Sequence, residues 1–174
     1  MNTGQTILAI LAFVLLMTIL VSFYGILGEN HEDVSASTTR MIATTIASSY
    51  IEFAQSLAFD QVTLDSDTAR NNVGLLTDPN TLGMDTVTTS INGFDDFDDF
   101  NGFTEEKTVG ADSSHYRASF RVYYVDYQNL ETPSAVRTFM KRMDIKVWRT
   151  DHIRPDEPPD TTRFFTTASY YHFN

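Results

Sequence analysis

Residues Ile7 to Leu27 read ILAILAFVLLMTILVSFYGIL, twenty-one positions without a charge. As a helix this run spans about 30 Å, the thickness of a bilayer's hydrocarbon layer. A core helix of a soluble domain rarely runs so far without a polar face, so the stretch reads as a membrane-inserted helix. A cleaved secretory signal fits less well. The leader MNTGQT, residues 1–6, has no Lys or Arg, the apolar run is too long, and Ile26-Leu27-Gly28 is a weak cut site. The rest of the chain must then hang from this anchor.

The 174 residues suggest one anchor plus one ordinary domain. The formal charge is −11, none of it in the apolar run. The part outside the membrane is therefore strongly acidic, which argues against nucleic acid and anionic membrane surfaces as partners. The absence of cysteine removes disulfides, thiolate metal sites and Cys nucleophiles together. No Lys or Arg flanks the span closely, the first being Arg40, while Glu29, Glu32 and Asp33 follow it directly. With so short a leader, an N-inside, C-outside orientation is expected.

The region 28–59 regains helical periodicity. Ile42, Ile46, Tyr50, Phe53 and Leu57 recur at three- or four-residue steps, with Ala43, Ala47 and Ala54 between them. An amphipathic helix follows, joined to the anchor directly or through a soft point at Gly25 and Gly28. Frequent Thr and Ser make its intrinsic propensity only fair, so packing on a sheet must supply the rest. Asp60 to Thr89 reads as a loop, with turn signals at Asn71-Asn72, Asp78-Pro79-Asn80 and Gly83 and one short strand near Met84–Thr88.

Ser90 to Phe103, SINGFDDFDDFNGF, repeats phenylalanine every third residue. Two readings compete here. Asp95, Asp96, Asp98 and Asp99 are close enough in sequence to make a calcium candidate, although Phe97 falls where an EF-hand loop needs its first carboxylate. The plainer reading, favoured here, docks the phenylalanines on the core and leaves the aspartates in water.

Three strand candidates close the chain: Tyr116–Tyr127, Arg137–Arg149 and Thr162–Phe173. In the first, Tyr116, Ala118, Phe120, Val122 and Tyr124 alternate with more polar neighbours; in the second, Met143, Ile145 and Val147 share a face. Short polar links imply an antiparallel meander. The expected fold class is α+β: a long N-terminal helix, half membrane-spanning and half amphipathic, packed on a small antiparallel sheet, with residues 60–174 forming the globular part.

This order of leader, apolar helix, amphipathic helix, loop and antiparallel sheet resembles type IV pilins and the pseudopilins of type II secretion. TTIASSYIEFAQSLAFDQ, residues 44–61, looks like the helix end of minor pilins, with Glu52 and the Phe59-Asp60 pair. FDDFDDFNGF, residues 94–103, resembles the aspartate, aromatic, Asn-Gly loop of minor pilins of the mannose-sensitive haemagglutinin type, and MKRMDIKVW, residues 140–148, the strand that follows. The resemblance implies processing between Gly4 and Gln5. It also implies a helix whose Ile7, Leu11, Val14, Leu15 and Ile19 meet lipid or neighbouring copies. The implied partners are copies of this chain or other pilin-like subunits, the inner-membrane assembly machinery and the bilayer. The implied location is the inner membrane, single-pass, then a periplasmic or extracellular filament. Two departures stand out: the leader lacks the usual basic residue, and Ala9 occupies the position where the family carries Glu.

Nothing points to catalysis. There is no Gly-x-Ser-x-Gly elbow, no His-Glu-x-x-His motif and no phosphate-binding glycine loop. The four histidines, His31, His115, His152 and His172, are scattered. The 22 aromatic residues read mainly as core and interface, with Tyr171 a candidate for adhesion. No cofactor beyond the calcium candidate is expected. The main alternative to a filament subunit is a permanently anchored extracytoplasmic protein-binding module.

Overall fold

A computed structural model describes residues 3–64, 72–83, 90–110, 113–151 and 159–170, without the side chains of residues 28–33. The helix α1 runs Thr3–Ser56 with no interruption at Gly25 or Gly28. Five strands follow: β1 Thr104–Val109, β2 Ser114–Asp126, β3 Asn129–Pro133, β4 Met140–Arg149 and β5 Thr161–Ser169. The chain divides into two compact units, residues 1–41 and 42–174.

In the first unit, Thr3–Leu27 is long and apolar enough to cross a membrane, with a mean hydropathy of 2.8. Ile7, Leu11, Val14, Leu15 and Ile19 are all exposed. Two hydroxyls inside this segment, those of Thr6 and Thr18, are answered locally. The Thr18 hydroxyl donates to the Leu15 carbonyl at 2.8 Å, one turn back. In lipid an unanswered hydroxyl would cost several kcal/mol by the usual estimate for a polar group in hydrocarbon, roughly 2–7 kcal/mol.

The second unit begins at Ile42 and is α+β. Ala43, Ile46, Ala47, Tyr50 and Ala54 form the buried stripe of the helix. The facing layer is the alternating side of β2 (Tyr116, Ala118, Phe120, Val122) and of β4 (Met143, Ile145, Val147). Alanines on the stripe let the helix approach closely, and Tyr50 fills the gap, its ring centroid 4.8 Å from that of Phe120. The Tyr50 hydroxyl bonds Glu105 on β1, and Gln55 Nε2 donates to Thr166 Oγ1 on β5 at 3.0 Å. The helix is thereby tied to strands on both sides of the β2–β4 pair.

The sheet is antiparallel throughout, in the order β1-β2-β4-β5, with β3 also paired to β2. Two strands escaped the sequence reading. TEEKTV of β1 is half-exposed along its length, and NLETP of β3 is a short, mostly exposed edge strand. Neither carries the apolar alternation that marks a core strand, because an edge strand can satisfy one side with water. The segment 128–133, expected as a link, is thus mainly strand β3. The second expected strand starts at Met140 rather than Arg137, and the third spans Thr161–Ser169 within the described residues.

The helix stops at Ser56, not at Phe59 as the periodicity suggested. The cause is a competing partner. The Ala58 N–H donates to the Asp95 carbonyl at 3.2 Å and the Phe97 N–H to the Ala58 carbonyl at 2.9 Å, so the backbone leaves the helix to pair with the aspartate loop. The strand expected near Met84–Thr88 lies outside the described residues.

Ala47 is wholly buried between helix and sheet. Replacing it with Leu should destabilise the domain by about 1–3 kcal/mol through overpacking, read as a lower denaturation midpoint with an unchanged slope. A neutral effect would mean that the helix–sheet interface has room for a larger side chain at this position.

Candidate functional site

The phenylalanine triplet repeat follows the geometry of a 3-10 turn. Phe97–Phe100 forms one, and with three residues per turn the side chains at i and i+3 lie on one side. Phe94, Phe97, Phe100 and Phe103 are all buried, and Phe94 packs edge-on to Phe100 at 4.9 Å. Their docking was the expectation.

The aspartates behave differently from that expectation. Only Asp95 is exposed; Asp96, Asp98 and Asp99 are as buried as the phenylalanines. The reason is that each has a donor waiting. Asp96 Oδ1 accepts from the N–H groups of Asp98 at 2.8 Å and Asp99 at 3.2 Å. Asp99 Oδ2 accepts from the N–H of Asp95 at 2.9 Å and of Asp96 at 3.4 Å, completing a reciprocal cap of the turn. Asp98 Oδ1 is bonded by the ammonium of Lys141. The three buried carboxylates therefore serve different donors. Among the described residues no group of three or more His, Asp or Glu is placed to hold a metal ion. His115, on β2, is exposed and shares a hydrogen bond with Thr108 Oγ1. His152, His172 and Tyr171 lie outside the described residues, as does the side chain of His31.

What gathers the loop is a residue that the sequence reading did not single out. Lys141 Nζ is fully buried and has three acceptors: the Phe59 carbonyl at 2.8 Å, Asp60 Oδ2 at 2.8 Å, and Asp98 Oδ1. Three donors and three acceptors match. The Phe59 ring sits 4.7 Å and the Tyr124 ring 5.3 Å from the nitrogen. Asp60 is held from all sides. Thr77 donates its N–H and its hydroxyl, each at 3.0 Å, the Val62 N–H reaches Oδ1 at 3.3 Å, and the Tyr124 hydroxyl lies 3.2 Å from Oδ2. The cluster joins the end of α1, the loop at Thr77, the aspartate turn, β2 and β4.

A signal for it was present. Lys141 stands two residues before Met143 and four before Ile145, on the buried side of β4 by strict alternation. A lysine in that register demands buried acceptors. Which ones could not be read, because Asp60 and Asp98 lie 81 and 43 residues away.

The electrostatics divide the carboxyls. Burial raises the pKa of Asp60, but Lys141 and the converging hydrogen bonds outweigh it and hold the group below the ordinary carboxylate value. Burial dominates at Asp98, which is raised despite Lys141. Asp96 is pushed up to about 8, first by burial and then by the negative charge of Asp98, against the pull of Lys141. Asp96 is thus biased toward its protonated form and Asp60 toward its ionised one.

Two outcomes follow. Lys141→Met strips two buried carboxylates of their shared cation and should cost about 3–5 kcal/mol, measured by chemical denaturation. On the pH axis, Asp96 binds a proton more tightly folded than unfolded. Its contribution is therefore complete below the unfolded value of about 4 and is lost as pH rises through about 8. Asp60 has the opposite sign, and its contribution is lost as pH falls below the ordinary carboxylate range. Asp96→Asn should flatten the alkaline decline of Tm; an unchanged alkaline slope would count against a protonated Asp96.

Compared with protein-family models, with curated proteins and with solved structures, the chain finds no match in any of the three, so its function is argued from its own residues.

Proposed function

We propose that this chain is a pilin-like structural subunit of a periplasmic or extracellular filament, a type IV pilus or a secretion pseudopilus, assembled through its apolar N-terminal helix. The observation that carries the reading is the exposed apolar run of Thr3–Leu27, followed in the same chain by an acidic α+β domain. Before assembly the run is at home in lipid. In a filament the same surface packs against copies of itself or related subunits, where helix packing replaces lipid contact. Head-to-tail contacts that do not close generate a helical polymer. The domain's negative charge keeps such a polymer dispersed. No catalytic role is needed.

In this reading the domain lies outside the cytoplasm and the leader is removed between Gly4 and Gln5. A second reading, a permanently anchored binding module, is favoured by one observation: Ala9 stands where a pilin would carry the Glu that meets a neighbour's new N-terminal amine.

The test separates sheared surface filaments from membranes and determines the N-terminus of the chain in each. The filament reading expects a chain beginning at Gln5 in the sheared fraction. It fails if filaments never contain the chain and its deletion leaves them unchanged; a chain starting at Met1 and confined to membranes transfers the case to the binding module. Leu15→Lys places a charge at the middle of the run, at a cost of about 2.5–3.5 kcal/mol for insertion. It should deplete the chain from both membrane and filament, whereas reversing the charge at exposed Glu52 (Glu52→Lys) should leave membrane insertion intact.

A further inference from the structure

The geometry around Lys141 points to a covalent bond. We propose that Lys141 and Asp98 join through an intramolecular isopeptide bond between Nζ and Cγ, with Asp60 and Asp96 moving the protons. The proposal stands independently of the filament reading.

Three features carry it. The first is position. Nζ is in hydrogen-bond contact with Asp98 Oδ1, so the nucleophile already touches the carboxyl group it would attack, and packing holds both groups in place. Reactants fixed this way react as though at an effective concentration of about 10⁵ M or more, enough to favour an amide that free amines and acids in water do not form. The second is seclusion. Lys141 and Asp60 are fully buried, and the rings of Phe59 and Tyr124 flank the nitrogen. Water is kept from reversing the reaction, and one neutral amide replaces two buried charges that are costly to desolvate.

The third is a division of labour among the carboxyls. Asp60, fixed as a carboxylate by Thr77, Val62 and Tyr124, is a poor electrophile, and at 2.8 Å from Nζ it orients the nitrogen and is the nearest acceptor for a proton the nitrogen sheds once bonded. Asp98 lacks that shell of donors. Asp96, beside it, holds a proton to give. Nζ passes one proton to Asp98 across their hydrogen bond, leaving a neutral amine beside a carboxylic acid, and Asp96 lends its proton to the other Asp98 oxygen as the amine attacks. The amine lone pair forms the N–C bond, and the nitrogen then sheds a proton to Asp60, its acceptor at 2.8 Å. That proton leaves with the first carboxyl oxygen as the C–O bond breaks, and the second oxygen returns its proton to Asp96. One water is released, both helper carboxyls end as they began, and nothing is oxidised or reduced. The one N–H left on the amide keeps Asp60 or the Phe59 carbonyl as its acceptor.

The bond would tie the aspartate turn to β4 across 43 residues of chain. Such a closure restricts the unfolded chain as a disulfide does, in a protein without cysteine.

The experiment is a peptide map of the full-length chain, purified in detergent, boiled in dodecyl sulfate and digested with trypsin. The expected product is a branched peptide in which the fragment holding Lys141 is joined to the fragment holding Asp98, one water lighter than their sum. Lys141→Arg should abolish the branch. Asp96→Asn should slow its appearance in newly made protein by about 100-fold or more, the usual contribution of a positioned acid. A wild-type chain that shows a cooperative thermal transition yet yields only linear peptides with an unmodified Lys141 overturns the proposal. So does a branch to Asp60. The wild-type map decides the matter even if a variant fails to fold.

Discussion

An ammonium group inside a protein must be surrounded by acceptors, and the domain after Ile42 is arranged around that requirement. Lys141 belongs to β4, in the centre of the sheet, and its register gives its side chain no route to water. Left alone it would be too costly to bury. Its acceptors come from segments far apart in the chain: the Phe59-Asp60 pair just after α1, and Asp98 in the aromatic turn. Bringing them to one point fixes where the helix ends and where the irregular segment crosses the sheet. Hydrophobic packing alone would leave both less defined, because apolar contacts have no direction.

The aromatic turn is the second partner in this arrangement. Its phenylalanines pack against Tyr50, Phe53 and Phe120, so it is a wedge between helix and sheet rather than a surface loop. A wedge without regular secondary structure buries backbone N–H groups that need partners. Asp96 and Asp99 supply them, each capping the other's end of the turn. Asn101 extends the pattern, donating to the Leu82 carbonyl and accepting from the Val122 N–H, and Gly102 with φ +80° lets the chain turn into β1. The acidic character of the stretch is thus a consequence of burying a turn. Together with Asp60 it places two carboxyls on a single lysine, with Asp96 beside Asp98. The crowding is relieved by a proton on Asp96 and opens the cross-linking chemistry proposed above.

The N-terminal segment is built to a different pattern. Its apolar residues are exposed all round, which no water-facing helix tolerates and which lipid or a helical neighbour rewards. The same chain therefore holds one unit whose stability comes from an internal polar cluster and another that depends on what surrounds it.

By itself the sequence determined whatever depends on local period and composition. The uncharged run from Ile7 to Leu27, the stripe at Ala43, Ile46, Ala47 and Tyr50, and the alternation in β2 and β4 each carry their own geometry, because a helix repeats every 3.6 residues and a strand every two. From these the α+β class was legible. The edge strands β1 and β3 were not, since their polar residues face water and lack a repeat. Nor was the function of the aspartates. FDDFDDF reads alike whether its carboxylates meet water, calcium or a buried turn; the donors to Asp96 and Asp99 belong to the turn itself, but only tertiary structure buries that turn and brings Lys141 to Asp98. Lys141 is the clearest division between the two. Its alternation on β4 already required burial, but its acceptors lie 43 and 81 residues away. A partner at that separation is chosen by the fold as a whole, since no local pattern in the chain encodes it.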